Sequence, residues 1–508
     1  MALRDDSLKK PDGRGHVGSG GGPWWGLPSV VFVVLMAHVT SLSNELLNYD
    51  DRGLFVNNPL LRSEELSNVW NILSPQRLNW RPLRDLSHWL DFLVHGQSAF
   101  WSHAHNLALL PVCVVVVARL LERLGAARVP ALWATALGFV HPMQVETIAW
   151  VTGRKDLLAC IFGVTALLCF FRMMDARRPT RWAAVGVSCA ALAIMAKGHL
   201  VVMPALLVGL MFVPPRHDAT RLRSKRFVFT LLALVILSAC AVPLIARGPV
   251  VMRADLLEHG DRFRLGMGDR LQFPWLYVSK FFWPSNLSPV YDPLPLGLLH
   301  KIYAMLGVCV SLAWLALLVR WFRAADRRFV PLLFSLVLLL PHVHIVPGTV
   351  FMANRYLFLI APLWSWILVD SLGRVVNTPR LLPVMLAGLV VAWGGVGLRE
   401  HQAWRNSVSL WTRVVERAPE NPYGRGRLGN TFYEAGEIEQ AAFQFVRLAD
   451  NDPTSPARNY NAAKLLSELG RYAQARTYLV RCLEQVPDSR RCAQRLIWLE
   501  QKLAAGSP

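Results

Sequence analysis

Two adjacent carboxylates stand in the tetrad Asn48-Tyr49-Asp50-Asp51. Neighbouring side chains on a helix do not share a face, so one of the pair can turn into a cavity as a general base while the other is held by Arg52 or solvent. A cap or turn is the plainer reading of such a pair. Context comes from His141-Pro142-Met143-Gln144-Val145-Glu146 and Gly153-Arg154-Lys155-Asp156, where Pro142 stops one helix and Arg154 and Lys155 open the next apolar stretch. Lys197-Gly198-His199 and Asn354-Arg355-Tyr356 fall at the same level between apolar stretches. The bland alternative, for Lys155 taken singly, is interfacial anchoring of a helix end. Together the cations form a rim suited to a phosphate, because Arg offers phosphate oxygens a bidentate fork. The chemistry expected of this set is deprotonation of an incoming hydroxyl by a carboxylate while the cations stabilise a lipid-linked phosphate as it leaves. No nucleoside-phosphate loop is present to suggest a soluble nucleotide donor. Asp50, Asp51, His141 and Glu146 are hard enough to ligate a divalent ion, but their spacing demands none, and no cofactor is expected.

The elements that position these groups are set by hydropathy. Of 508 residues 53% are hydrophobic and 17% charged, and the mean hydropathy is +0.32, which excludes a disordered chain and argues against one soluble domain. The net charge of +20 is scattered between apolar stretches rather than gathered in a patch, a pattern of membrane orientation and not of nucleic-acid binding. Eleven stretches are candidates for spanning helices: 24–42, 103–121, 129–142, 156–172, 183–196, 200–214, 228–246, 302–320, 329–345, 356–371 and 382–398. The pairs within 129–172 and 183–214 read as tight helical hairpins. The first stretch has no small-residue cleavage site after it and reads as a retained helix rather than a signal peptide.

With residues 1–22 as a cytoplasmic tail, the inner gaps hold 22 Lys and Arg, whereas the short outer gaps hold only Arg154, Lys155, Lys197 and Arg355. An odd number of spans then places the C-terminus outside. The outer loops 43–101 and 247–300 are long, as functional loops are. The first carries an amphipathic stretch from Trp80 to His95, and the second an apolar segment, Leu271 to Trp283, that lies in the interface or re-enters.

From about residue 400 the composition turns polar and a period of 34 residues appears. Gly436 and Gly470, Ala441 and Ala475, and Pro419, Pro453 and Pro487 recur at that interval. This is the period of a tetratricopeptide array. Residues 404–419 read as the second helix of a degraded repeat, 490–502 as a capping helix, and the module as small enough to lean on the membrane domain. It can serve as a stabilising cap or as a groove for a protein. Cys482 and Cys492, the two cysteines in this polar segment, can pair in an oxidising compartment.

The chain resembles the glycosyltransferase C superfamily, and within it the transmembrane and tetratricopeptide repeat containing O-mannosyltransferases. The resemblance rests on Asn48-Tyr49-Asp50-Asp51, Trp80-Arg81-Pro82-Leu83, Gly96 with His105-Asn106-Leu107, His141-Pro142 with Glu146, Gly153-Arg154 and Arg355-Tyr356-Leu357-Phe358, followed by the repeats. It implies an all-α polytopic membrane domain over 23–399 with about eleven spans, a short tetratricopeptide α-solenoid over 400–508, a polyprenyl-phosphate sugar donor, a protein hydroxyl acceptor and inversion at the sugar carbon. Asp50 or Asp51 is then the base. Arg355, Tyr356, Arg154, Lys155 and Lys197 face the donor phosphate and lipid, and His141, Glu146, Trp80, Arg81 and His199 shape the cavity. The chain departs from relatives in reading Lys197-Gly198-His199 after the fifth span and in its shorter array. The Ala- and Arg-rich composition favours a bacterial inner membrane with the repeats in the periplasm, with the endoplasmic reticulum as fallback. The competing reading is a non-catalytic membrane scaffold that anchors the repeats for envelope assembly. A transporter would need repeat symmetry between halves, which the sequence lacks.

Overall fold

The computed structural model describes residues 26–75, 80–175, 178–213, 225–257, 266–343, 351–378 and 380–504, and among these there are helices and turns but no strand. The tail 1–22 and most of the basic gap 214–226 lie outside the described residues. The first apolar stretch forms α1, Gly26–His38, continued by a 3-10 turn to Ser43. The outer segment that follows carries α2, Asn68–Leu73, and α3, Pro82–His95. Then come α4, Ala99–Arg123, α5, Arg128–Val140, the short α6, Val145–Ala149, and α7, Arg154–Asp175. Next are α8, Pro179–Ala196, α9, Met203–Gly209, α10, Lys225–Leu257, and α11, Met267–Phe282. The membrane domain ends with α12, Leu298–Arg323, α13, Phe329–Leu339, α14, Ala361–Val375, and α15, Leu381–Ala403.

The described parts of all eleven apolar stretches are largely helical, but they are not alike. Seven are long and apolar enough to cross a membrane: Gly26–Ser43, Ala99–Arg123, Val151–Asp175, Pro179–Ala196, Lys225–Ile245, Leu298–Arg323 and Leu381–Ala403. The other four appear as the shorter Arg128–Val140, Gly198–Phe212, Phe329–His342 and Ala361–Val375. A helix of 13 residues such as α5 rises only about 20 Å, short of a bilayer core of about 30 Å. Irregular backbone at such depth is tolerated where protein covers it, and here it is covered: every residue from 134 to 160 is buried. The expected tight hairpin over 129–172 is therefore corrected to two helices joined by a folded, buried turn, residues 141–153. Close packing makes room for it. A Cβ on Gly138 would come within 2.5 Å of the Pro362 backbone, so α5 and α14 meet nearly backbone to backbone. The chain is a multi-pass membrane protein with an all-α fold.

The polar segment forms six helices: α16, Ser407–Arg417, α17, Pro422–Glu434, α18, Ile438–Asn451, α19, Pro456–Glu468, α20, Tyr472–Gln485, and α21, Arg490–Ala504. Gly436 and Gly470 adopt left-handed φ of 80° and 73° at the turn inside each repeat, which is why glycine recurs there. Cys482 and Cys492 form a disulfide that ties α20 to α21. The first two helices lean on the membrane domain through a shared apolar cluster of Leu47, Tyr49, Val145, Trp150, Trp404, Leu410, Trp411, Val414 and Leu428.

Candidate functional site

The buried turn is the frame of the site. His141 begins it: its Nδ1 accepts from the Met143 amide (3.2 Å), its Nε2 pairs with the Phe281 carbonyl (2.9 Å), and its ring stacks on Phe281 and meets Trp393. His141 is thus a packing element joining α11 and α15 to the turn. The open carbonyls of Ala149, Trp150 and Val151 accept from Asn44 and Asn106 side chains at 3.1 to 3.2 Å. Gly153 closes the turn, where a Cβ would lie 2.0 Å from the Thr147 carbonyl oxygen.

Asp51 is fully buried and fully used. One carboxylate oxygen accepts from the Leu47 amide (3.0 Å); the other accepts from the Thr152 amide (3.2 Å) and hydroxyl (2.6 Å). Burial raises its carboxyl to about 6, the three hydrogen bonds pulling back and Asp50 adding repulsion. Asp51 fastens the first outer loop to the turn. Its neighbour differs: the Asp50 carboxylate, partly exposed, makes no hydrogen bond or ion pair among the described residues.

The cations divide in the same way. Arg154 is fully buried and spends its guanidinium on an ion pair with Asp91 and on hydrogen bonds to Asn106, Ser87 and Ser102. It is a strut between α7, α3 and α4, with a guanidinium enclosed by these partners rather than open to solvent. Arg355 pairs with Glu146, which also accepts from the Asn354 and Arg355 amides (2.8 and 3.3 Å) and so clamps that turn. Burial drives the Glu146 carboxyl up and Arg355 opposes this. Lys197 pairs with Asp156, and His199, His342 and Tyr356 stack in a row beside it. These side chains line a cavity of about 20 Å³, room for a single water. Trp80 donates to the Leu73 carbonyl (3.3 Å) and shapes the outer loop.

Two cations remain without an anionic partner among the described residues. Lys155 rests its ammonium 4.0 Å over the Trp150 ring. Arg81, just ahead of α3, makes no ion pair or hydrogen bond; burial, then repulsion from Arg84, lowers it to about 10, still charged at neutral pH. Asp50 lies within electrostatic reach of both, as do Asp156 and Arg355. Of the residues expected as possible hard ligands, Asp51, His141 and Glu146 are each held by different partners, and Asp50 by none among the described residues. Among the described residues no group of three His, Cys, Asp or Glu converges as a metal site. Sequence reasoning passed over Trp150, Thr152, Asp91 and Asn106 as site residues. A tryptophan directly before Val-Thr-Gly-Arg-Lys at a span end was the available signal for the first; the others are seen only once distant segments meet.

A chain from Drosophila melanogaster, protein O-mannosyl-transferase Tmtc2, is 36% identical over 183 residues, 34% of this chain and 19% of that protein. The mouse protein O-mannosyl-transferase TMTC1 is 31% identical over 146 residues, 27% of this chain and 15% of its own length. This chain resembles the protein O-mannosyl-transferases. The matched part spans about a fifth of those relatives' length. The tetratricopeptide repeat family matches residues 432–496, so the C-terminal segment is a tetratricopeptide array. Among solved structures, the Archaeoglobus fulgidus oligosaccharyltransferase tethered with an acceptor peptide aligns over 80% of this chain and 59% of its own, at 11% identity and a TM-score of 0.44.

Proposed function

We propose that the protein is a membrane glycosyltransferase that moves a sugar, mannose or another hexose, from a polyprenyl-phosphate carrier to a protein hydroxyl on the outer side of the membrane. The observation that carries this is the Asp50 carboxylate within electrostatic reach of the cations Arg81 and Lys155, none of the three in an ion pair among the described residues, while the other members of its tetrad are fastened. Asp50 takes the proton of the acceptor hydroxyl as its oxygen attacks the sugar carbon from the face opposite the phosphate. Arg81 and Lys155 hold the carrier phosphate and stabilise the charge it gains as the glycosidic bond breaks. Glu146 keeps Arg355 beneath them, where its positive charge adds to the same field. The similarity to O-mannosyl-transferases supports the sugar and the acceptor class. The excess of inner over outer basic residues and the Cys482–Cys492 disulfide support an outer, oxidising location for the repeats.

The test is transfer of labelled sugar from a panel of polyprenyl-phosphate sugars to host envelope proteins by the purified protein, beside folded Asp50→Asn. Transfer that disappears with Asp50 supports the enzyme and names its donor. No transfer from any donor, with an envelope protein recovered on residues 400–508 instead, favours the scaffold.

A further inference from the structure

We infer that Asn48 is a positioning residue through which the first two repeat helices hold Asp50 in its working place, an inference that rests on reading Asp50 as the base. All four polar groups of Asn48 end on α16 and α17. Its amide donates to Ser407 Oγ (2.9 Å), its carbonyl accepts from the Arg427 guanidinium (3.3 Å), its Nδ2 donates to Thr431 Oγ1 (2.6 Å), and its Oδ1 accepts from Trp411 Nε1. The arrangement admits one orientation of the side chain. An indole N–H only donates, so Oδ1 must face Trp411. The Thr431 hydroxyl donates to the Arg427 carbonyl (2.8 Å), which leaves its lone pair for Nδ2.

Position 48 is thereby fixed from the repeat side, and position 51 from the membrane side by Thr152. Tyr49 packs between Trp150 of the turn and Trp404 and Trp411 at the start of the repeats. Asp50 is the one free side chain in a stretch pinned at both ends by different domains. A leucine and a valine would fill this buried space without desolvating polar groups, whereas four directed bonds set an angle that apolar packing does not. The repeats therefore act on catalysis through the loop, separately from any acceptor they hold.

The experiment compares full-length protein carrying Thr431→Val, Trp411→Phe or both with a distal control, Leu479→Ala, which weakens the array's buried core away from Asn48. Two readouts are taken: kcat and donor KM, and hydrogen exchange over residues 47–57. Each proximal variant is expected to lower kcat on the order of tenfold, with donor KM within about twofold, because a small misplacement of a reacting group is costly. The double variant falls about as far as either single one, since both cut the same network. Exchange over 47–57 rises in the proximal variants and stays unchanged in Leu479→Ala. The inference is overturned by normal kcat in the proximal variants, by unchanged exchange over 47–57, or by an equal loss of kcat in the distal control. Asp50→Asn separates the two readings: if it keeps transfer, Asp50 is not the base, while exchange still reports whether the repeats hold the loop.

Discussion

Two ionic clusters lie at opposite ends of the same bundle. At the end where α12 passes into α13, Asp326 and Asp370 are shared among Arg327, Arg328 and Arg374, with Arg328 to Asp326 at 2.7 Å and Arg374 to Asp370 at 3.0 Å. Each of the three arginines there touches at least one of the two carboxylates. At the other end, Glu146, Asp156 and Asp91 satisfy Arg355, Lys197 and Arg154, and beyond them, among the described residues, stand Arg81 and Lys155 without a paired carboxylate and Asp50 without a donor. Both clusters pay desolvation, but only the first recovers it within the protein. The difference teaches where to look for a ligand: charge left over after the structural pairs are counted has to be matched by something that arrives.

The sharpest way to break this comparison is Asp50→Asn, expected to lower kcat on the order of 10²- to 10⁴-fold with the thermal melt of the purified protein unchanged. The mirror experiment is Asp370→Asn. It removes the carboxylate of Arg327 and leaves Arg328 and Arg374 to Asp326 alone, and is expected to cost on the order of 1–2 kcal/mol of stability, since two of the three arginines are solvent-screened, while the protein that remains folded turns over normally. Thermal melts beside kcat separate the two.

Asp51 tests the same distinction through pH. Its carboxyl is raised from the ordinary 3.8 to about 6 by burial, so the folded state holds this proton more tightly than the unfolded chain. Its contribution to stability is present below about pH 4 and is lost as pH rises to about 6, a change of about 3 kcal/mol at most. Melts of Asp51→Asn between pH 4 and 6.5 should lack that slope. The smallest effect is expected from Lys155→Met, about tenfold in kcat, about 1.4 kcal/mol of lost phosphate stabilisation. Arg154→Met, by contrast, should fail at folding, read as loss of monodisperse protein.

Much of the architecture was legible because hydropathy and a 34-residue period are local signals. The eleven apolar stretches and the glycines of the repeats follow from them. Which stretches are long enough to cross alone was less legible, since α5 depends on α14 closing over Gly138. In the site, the types of residue were readable and their division of labour was not. Asp50 and Asp51 are chemically the same, and only Leu47 and Thr152 decide which one is consumed. Arg154 and Lys155 are adjacent too, yet about 100° apart on the helix. That angle sends one into Asp91 and Asn106 and the other onto Trp150.

The bonds made by Asn48 also set a clock. Its partners lie 359 to 383 residues further along the chain, and at roughly 5–20 residues per second the ribosome delivers them on the order of half a minute after the tetrad itself. During that interval the membrane domain can insert and assemble, but the segment bearing Asp50 has nothing to brace it on its outer face. The brace on that segment is complete only once α17 has been made and has docked.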